Sequence, residues 1–197
     1  AQGRDPDLVS GIRLRRRQGS AFCAEPGPGG QVLSIHKQIV TDMVNNDIEF
    51  ITTVPCKQLG GVIEEAENNP SIMHVPCNKE DEGMGLCAGA FMGGKRSAII
   101  MQNTALGVTL NSLATLIQFY HIPLPMLISY RGELGEPVAC QVEMALHTKA
   151  LLNQMLIPTY HFHKREDAAE LDKILKYTFM CNKPVAILTD ATFWKGE

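Results

Sequence analysis

The chain has 197 residues, of which 45% are hydrophobic and 20% are charged, a composition that suits one globular domain with a sizeable core. Its formal net charge of −3 gives no electrostatic reason to expect nucleic acid or a membrane surface as a partner. No apolar run reaches the roughly 20 residues that a membrane-spanning helix requires.

The first thirty residues differ in composition from the rest. Arg13, Arg15, Arg16 and Arg17 form a basic cluster, and residues 26–30 read Pro-Gly-Pro-Gly-Gly, as in a linker. Such a segment is either a nucleic-acid or targeting arm, or a flexible or non-native extension without a role. We expect the second, and we place the folded domain at residues 31–197.

Helical and extended patterns alternate from residue 31 onward. Val32, Ile35, Ile39 and Met43 recur at helical spacing, whereas short apolar runs that stop at a proline or turn are typical of strands. In chain order, the patterns predict a helix over 31–45, a strand over 49–54, a helix over 59–67, a strand over 72–75, a helix over 80–92, a strand over 97–101, a helix over 106–117, a strand over 124–129, a helix over 141–154, a strand over 159–162, a helix over 167–180 and a strand over 185–189.

Six strands that alternate with helices predict a doubly wound α/β domain with a six-stranded, mainly parallel sheet and right-handed crossovers. Ligands in such sheets bind beyond the carboxyl ends of the strands. Four polar turns follow predicted strand ends: Pro55-Cys56-Lys57, Pro76-Cys77-Asn78, Gln102-Asn103-Thr104 and Tyr130-Arg131-Gly132. The sequence therefore predicts a site at this edge of the sheet.

The six cysteines are scattered, without a Cys-x-x-Cys pair, and no secretory leader is recognisable: Cys23, Cys56, Cys77, Cys87, Cys140 and Cys181. This pattern predicts reduced thiols in the cytoplasm rather than a disulfide or zinc framework.

The segment EDEGMGLCAGA at residues 80–90 begins a helix with a carboxylate beside glycines. Small residues there allow another surface to approach closely. Taken alone, Glu82 fits either a ligand-binding role or the role of an acidic residue that favours the start of a helix. Glu80 and Asp81 fit the second.

Together with MQNTALG at residues 101–107, this segment resembles the pyrimidine-binding domain of thiamine-diphosphate enzymes. The similarity is greatest to the sulfopyruvate decarboxylase alpha-subunit family, then to phosphonopyruvate decarboxylases, and it runs from about residue 31 to the C-terminus. The resemblance implies that Glu82 hydrogen-bonds a ring nitrogen of the cofactor's pyrimidine and activates the cofactor. Met84 and Leu106 would supply a dry environment for this carboxyl group.

The resemblance also implies that Gln102, Asn103, Thr104 and Leu106 help to bind thiamine diphosphate. Amide side chains and backbone N–H groups at a helix start suit a ring edge or an anion. Ordinary helix capping by Asn103 or Thr104 is the alternative. The family usually has glycine where Ala105 stands and asparagine at the position of Val108.

The residues that the resemblance points toward substrate are Cys56, Lys57, Arg131 and Gln141. Lys57 would meet an anionic head group, and the planar fork of Arg131 suits sulfonate or carboxylate; a surface role is the alternative for each. Cys56 is expected to pack rather than to act as a nucleophile. Gln141 falls near a histidine of related decarboxylases, and the following segment, residues 142–146, lacks their Gly-Arg.

No Gly-Asp-Gly motif occurs in this sequence, although thiamine-diphosphate enzymes hold the diphosphate through Mg²⁺ with that motif. The resemblance therefore implies that a beta subunit carries the diphosphate and Mg²⁺ site. The expected reaction is decarboxylation of an anionic 2-oxoacid, 3-sulfopyruvate, in coenzyme M biosynthesis. A phosphonopyruvate-type decarboxylase subunit and a non-catalytic regulatory subunit remain alternatives.

His161 and His163 stand two residues apart at a strand end. A metal site is one interpretation, but no third ligand follows at suitable spacing. We therefore expect one buried and one exposed histidine and no metal.

Overall fold

The computed structural model describes residues 34–134 and 136–195. The predicted extension at residues 1–30, its arginine cluster and the first three residues of the predicted helix over 31–45 lie outside the described residues. The strands are β1 (Ile48–Thr53), β2 (Met73–Pro76), β3 (Arg96–Gln102), β4 (Pro125–Ser129), β5 (Thr159–Phe162) and β6 (Val185–Thr189). The α-helices are α1 (Ile35–Asn45), α2 (Gly60–Glu67), α3 (Glu80–Met92), α4 (Leu106–Ser112), α5 (Cys140–Gln154), α6 (Leu171–Cys181) and α7 (Ala191–Trp194).

The six strands form one sheet in the order β2-β1-β3-β4-β6-β5, and every neighbouring pair is parallel. The predicted six-stranded α/β sheet is therefore confirmed. The chain runs from β1 outward to β2 and then returns to β3 on the other side of β1. The crevice between β1 and β3 is thus a topological switch point, where open α/β sheets bind their ligands.

Helices cover both faces of the sheet. On one face, α1, α2, α6 and α7 bury apolar side chains around Ile51 and Ile187. On the other face, α3, α4 and α5 do so around Ile99 and Ile128. Among the described helices, none has both the length and the apolar character that crossing a bilayer would demand.

The largest differences from the sequence prediction concern three helices, whereas several strand ends differ by a single residue. The helix predicted over 106–117 is an α-helix only to Ser112, is preceded by a 3₁₀ turn, Asn103–Ala105, and continues as a π-helix over Leu113–Gln118. The helix predicted from 167 begins as a 3₁₀ helix, Arg165–Glu170. The Asp167 carboxylate accepts the backbone N–H groups of His163 and Lys164, which directly precede this helix, and so fixes its start. Helix α7 was not predicted, since four residues are too few to show a period.

Helix α3 can lie close to the sheet because Gly83 faces it. A Cβ at this position would lie 2.9 Å from Ile99 Cδ1 and 3.1 Å from Cys77 Sγ, which is closer than ordinary van der Waals contact. The glycine therefore lets the first turn of α3 pack directly on β1 and β3. This contact fixes Glu82 at the carboxyl edge of the sheet.

Asp42 on α1 is a source of instability at neutral pH. Burial, and secondarily the nearby Asp172 carboxylate, raise its pKa from 3.8 to about 6. The folded state thus binds this proton more tightly than the unfolded chain. Protonated Asp42 therefore contributes fully to the free energy of unfolding below about pH 4, and this contribution is lost as the pH rises to 6.

We expect Asp42→Asn to raise the free energy of unfolding at pH 7 by about 1 kcal/mol, after allowance for solvent screening. Urea unfolding at pH 7 and near pH 4 measures this gain, which should shrink at the lower pH. An unchanged or lower stability at pH 7 would contradict the prediction.

A candidate active site at the carboxyl edge of the sheet

Polar side chains from four parts of the chain meet at the crevice between β1 and β3. Cys56 Sγ lies 3.1 Å from Ser129 Oγ and 3.7 Å from Gln102 Oε1. Gln102 Nε2 donates to Gln141 Oε1 at 2.9 Å and to Thr104 Oγ1 at 2.6 Å. The structure therefore brings together four residues that the sequence singled out. Ser129 escaped the sequence analysis because it is the last residue of a fully buried strand.

Gln102 is held in one orientation by this network. Both hydrogens of its amide nitrogen have acceptors, whereas its Oε1 receives only the weak thiol donor of Cys56 at 3.7 Å. The side chain is half-buried. The amide oxygen is therefore the polar atom that remains for an N–H or O–H group of a ligand.

Asn103 has a structural role rather than the direct ligand contact that its position implied. Its side chain is fully buried. Nδ2 donates to the Arg131 carbonyl at 3.0 Å and to Thr148 Oγ1 at 3.2 Å, and Oδ1 accepts the Arg131 N–H. Asn103 thus fastens the turn after β4 to the turn after β3 and to α5.

Leu106 and Met84 are also fully buried. Both belong to the apolar core between the sheet and helices α3, α4 and α5. Within this chain they pack between the helices and the sheet and expose no surface to a ligand. These two residues therefore do not form the predicted dry environment around Glu82.

Glu82 points into solvent from the first turn of α3. Its Oε2 accepts one long hydrogen bond, 3.3 Å, from the backbone N–H of Asn78. Both carboxylate oxygens are therefore available to a donor from outside the chain. A dry setting for this group requires a second surface above it.

The exposed side of α3 has room for such a surface. Gly85 and Gly89 lie on the same side of the helix as Glu82, and a Cβ at either position would meet no atom within 4 Å. Met92, one turn further, is 61% exposed. We call Glu82, Gly85, Gly89 and Met92 the open face of α3.

A cleft of about 570 Å³ lies beside the crevice, beyond the ends of β4 and β6. Lys57 and Arg131 both line it. Lys57 is exposed and forms no ion pair with any described residue, so its ammonium group is available to an anion.

Arg131, in contrast, already has an anionic partner. Its guanidinium group donates to both carboxylate oxygens of Glu136, with Nε at 2.7 Å from Oε2. These hydrogen bonds hold the pKa of Glu136 at about 2, below its usual 4.5. The contribution of this pair to stability is therefore complete above pH 4.5 and is lost as the pH falls toward 2. A substrate anion would have to compete with Glu136 for Arg131.

The sequence analysis missed Glu136, Thr148 and Asp190. Thr148 contacts Asn103 from 45 positions away along the chain, a separation that sequence spacing does not reveal. Glu136, in contrast, lies only five positions after Arg131, and this opposite charge nearby was a usable signal. Asp190 had a usable signal, because an aspartate directly after a strand is a frequent helix N-cap. Its Oδ1 accepts the N–H groups of Thr192 and Phe193 at 2.7 and 3.1 Å.

Comparisons with known proteins identify two kinds of relatives, of which the first is of similar length. The chain is 36% identical over 162 residues to the sulfopyruvate decarboxylase subunit alpha of Methanococcus maripaludis, an alignment that covers 79% of this chain and 93% of the relative. It is 29% identical over 98 residues to a phosphonopyruvate decarboxylase of Streptomyces viridochromogenes, covering 50% of this chain and 25% of that protein. No protein-family model matches the chain.

A solved structure confirms the fold. The 2-oxoglutarate:ferredoxin oxidoreductase of Magnetococcus marinus superposes with a TM-score of 0.62 at 13% identity, over 81% of this chain and 29% of that chain. At this identity the match establishes a shared architecture alone.

Proposed function

The chain belongs to the family of sulfopyruvate decarboxylase alpha subunits, and on this premise we propose that it is the cofactor-activating half of a thiamine-diphosphate-dependent decarboxylase. The proposed reaction converts 3-sulfopyruvate and a proton into sulfoacetaldehyde and CO₂, a step of coenzyme M biosynthesis in the cytoplasm. The observation that carries the proposal is the solvent-facing carboxylate of Glu82 at the carboxyl edge of the sheet, within a chain that aligns with 93% of such a subunit.

The residues around Glu82 fit the pyrimidine end of thiamine diphosphate. The carboxylate has only one long hydrogen bond within the chain, and the space above Gly85 is empty, so a flat ring can approach the helix. Bound thiamine diphosphate supplies a nucleophilic carbon and an electron sink for the loss of CO₂. Glu82 would share a proton with a ring nitrogen at its carboxylate, and this is how the protein would activate the cofactor.

The neighbouring polar groups suit the reacting 2-oxoacid. Gln102, oriented by Gln141 and Thr104, presents its amide oxygen to a donor. Lys57, which is exposed and lines the cleft, is better placed than Arg131 to receive a free sulfonate, because Glu136 occupies the guanidinium group.

The remaining part of the cofactor site belongs, in this proposal, to a beta subunit. That partner would hold the diphosphate and Mg²⁺, for which this sequence has no Gly-Asp-Gly motif. The open face of α3 and the exposed Val108 on the adjacent α4, 58% accessible, offer apolar and small residues for close packing. Docking there would also cover Glu82 and exclude water from it.

The phosphonopyruvate decarboxylase relative supports a second substrate with the same residues. Phosphonate and sulfonate differ in charge but not in the need for a cationic head-group site. A non-catalytic regulatory subunit would instead bind the partner and support no turnover.

The test is CO₂ release by this chain co-expressed with a partner that carries Gly-Asp-Gly, assayed on sulfopyruvate and on phosphonopyruvate. We expect release from sulfopyruvate that requires both chains, thiamine diphosphate and Mg²⁺. Faster release from phosphonopyruvate would reassign the substrate. A stable complex with no release from either compound would overturn the enzymatic proposal in favour of a regulatory subunit.

Docking of the beta subunit on the open face of α3 is tested in the same system by Gly89→Leu. The isolated chain has room for this side chain, so its thermal unfolding should be little changed, whereas the complex should dissociate more readily. Lys173→Leu is the matched control, because it adds an exposed leucine on α6 at the opposite face of the sheet. Equal behaviour of the two variants would place the partner elsewhere.

A further inference from the structure

Four potential metal ligands converge at the carboxyl ends of β5 and β6, outside the proposed cofactor site. Glu133, His161, His163 and Asp190 each offer one nitrogen or oxygen atom, and these atoms all lie within 4.8 Å of one another. The third ligand that the sequence spacing of the histidines did not supply comes from distant positions: Asp190 follows β6 and Glu133 follows β4.

The two carboxylate oxygens of Asp190 have different partners. Oδ1 caps α7 through the backbone N–H groups of Thr192 and Phe193. Oδ2 faces the histidines, 2.5 Å from His163 Nδ1 and 3.0 Å from His161 Nε2. The carboxylate is 2% exposed, so the cap fixes its direction and leaves one oxygen as a ligand.

His161 places a buried nitrogen beside the Asp190 carboxylate. Its Nε2 is shielded from solvent and, apart from the contact with Asp190, has no polar partner among the described residues, although most buried polar atoms form a hydrogen bond. The ring packs edge-on against Tyr130, with centroids 5.4 Å apart. The ring is thus held in place with its Nε2 facing the Asp190 carboxylate.

We propose that His161, His163, Asp190 and Glu133 form a four-coordinate site for Zn²⁺ or a similar borderline divalent cation. Tetrahedral coordination with bonds of about 2.0–2.2 Å separates neighbouring ligand atoms by about 3.3 Å. The two histidine–aspartate distances, 3.0 and 2.5 Å, would widen to this separation, and Glu133 would move closer. Two imidazoles beside two carboxylates favour zinc over Mg²⁺, which prefers oxygen ligands.

Lys149 must move when the metal binds. Its Nζ lies 3.2 Å from His161 Nδ1 and 3.9 Å from a Glu133 oxygen. The side chain is half-exposed, so it can turn into solvent and leave Glu133 free. The metal then ties the connection after β4, which also carries Arg131, to β5 and β6.

The test uses the untagged full chain, stripped with chelator and titrated with Zn²⁺ by calorimetry and with Co²⁺ by visible absorption. We expect one equivalent to bind and the Co²⁺ spectrum to be that of a tetrahedral nitrogen–oxygen site. Asp190→Asn keeps the capping oxygen and removes the ligand, and it should weaken binding by at least about 100-fold, as should His161→Gln. His147→Gln, an exposed histidine on α5, is the control and should bind like the parent.

Circular dichroism and metal-free thermal unfolding establish that each variant is folded. No binding by the parent chain would overturn the proposal. So would unaltered binding by folded Asp190→Asn, or a thiolate charge-transfer band that places the Co²⁺ on a cysteine.

Discussion

Replacing Glu82 with glutamine is expected to lower turnover by about 10²–10⁴-fold while the fold and the complex persist, which is the usual range for loss of a general acid–base group. Glutamine is nearly isosteric, but its amide cannot exchange a proton with the cofactor's ring nitrogen. Because Glu82 is exposed and makes one long hydrogen bond within the chain, the substitution removes little that stabilises the domain.

The measurement is steady-state CO₂ release by the two-chain enzyme, together with calorimetric binding of thiamine diphosphate. Glu80→Gln is the matched control, since it removes a carboxylate from the same first turn of α3 and should leave turnover close to that of the parent. Near-normal turnover of Glu82→Gln would contradict the activating role. Equal losses in both variants would indicate a general charge effect on the helix start.

Local patterns determined which parts of the fold were predictable. The bounds of α3 follow from three acidic residues in its first turn and from Gly93-Gly94 at its end, both of which act within a few residues. The bounds of β5 and β6 were also predicted from local patterns, because each strand is a short extended run next to turn residues. The π-helix at Leu113–Gln118 was not, because its apolar spacing is also that of an α-helix.

The candidate site was predictable in position but not in its internal contacts. Strand ends indicated Cys56 and Gln102, and the family resemblance indicated Gln141; the structure joins all three in one network. Whether a side chain at these strand ends is available to a ligand or already hydrogen-bonded depends on residues that are distant in the sequence. Asn103 is engaged by Thr148, and His161 meets Asp190.

Replacing Gly132 with alanine is expected to lower the free energy of unfolding by about 3 kcal/mol or more. Gly132 has φ +94°, and a Cβ there would lie 2.2 Å from the Gln141 carbonyl oxygen and 2.6 Å from Ala145 Cβ. Both contacts belong to α5, and a helix backbone cannot shift without moving the elements packed on it. The turn after β4 would have to open, and it carries Arg131 and Glu133 with it.

The loss of stability in Gly132→Ala has two causes, the left-handed backbone and the clash of the added Cβ with α5, and Gly94→Ala separates them. Gly94 has a similar φ, +87°, but a Cβ there would meet nothing within 4 Å, so alanine should cost only about 1 kcal/mol for the left-handed backbone. Urea unfolding of both variants measures the difference, which is the cost of forcing α5 away from the turn. Equal losses would show that backbone strain alone accounts for the glycine. A larger loss at Gly132, accompanied by weaker Zn²⁺ binding in that variant only, would show that the close packing of this turn on α5 is what positions Glu133 toward His161 and Asp190.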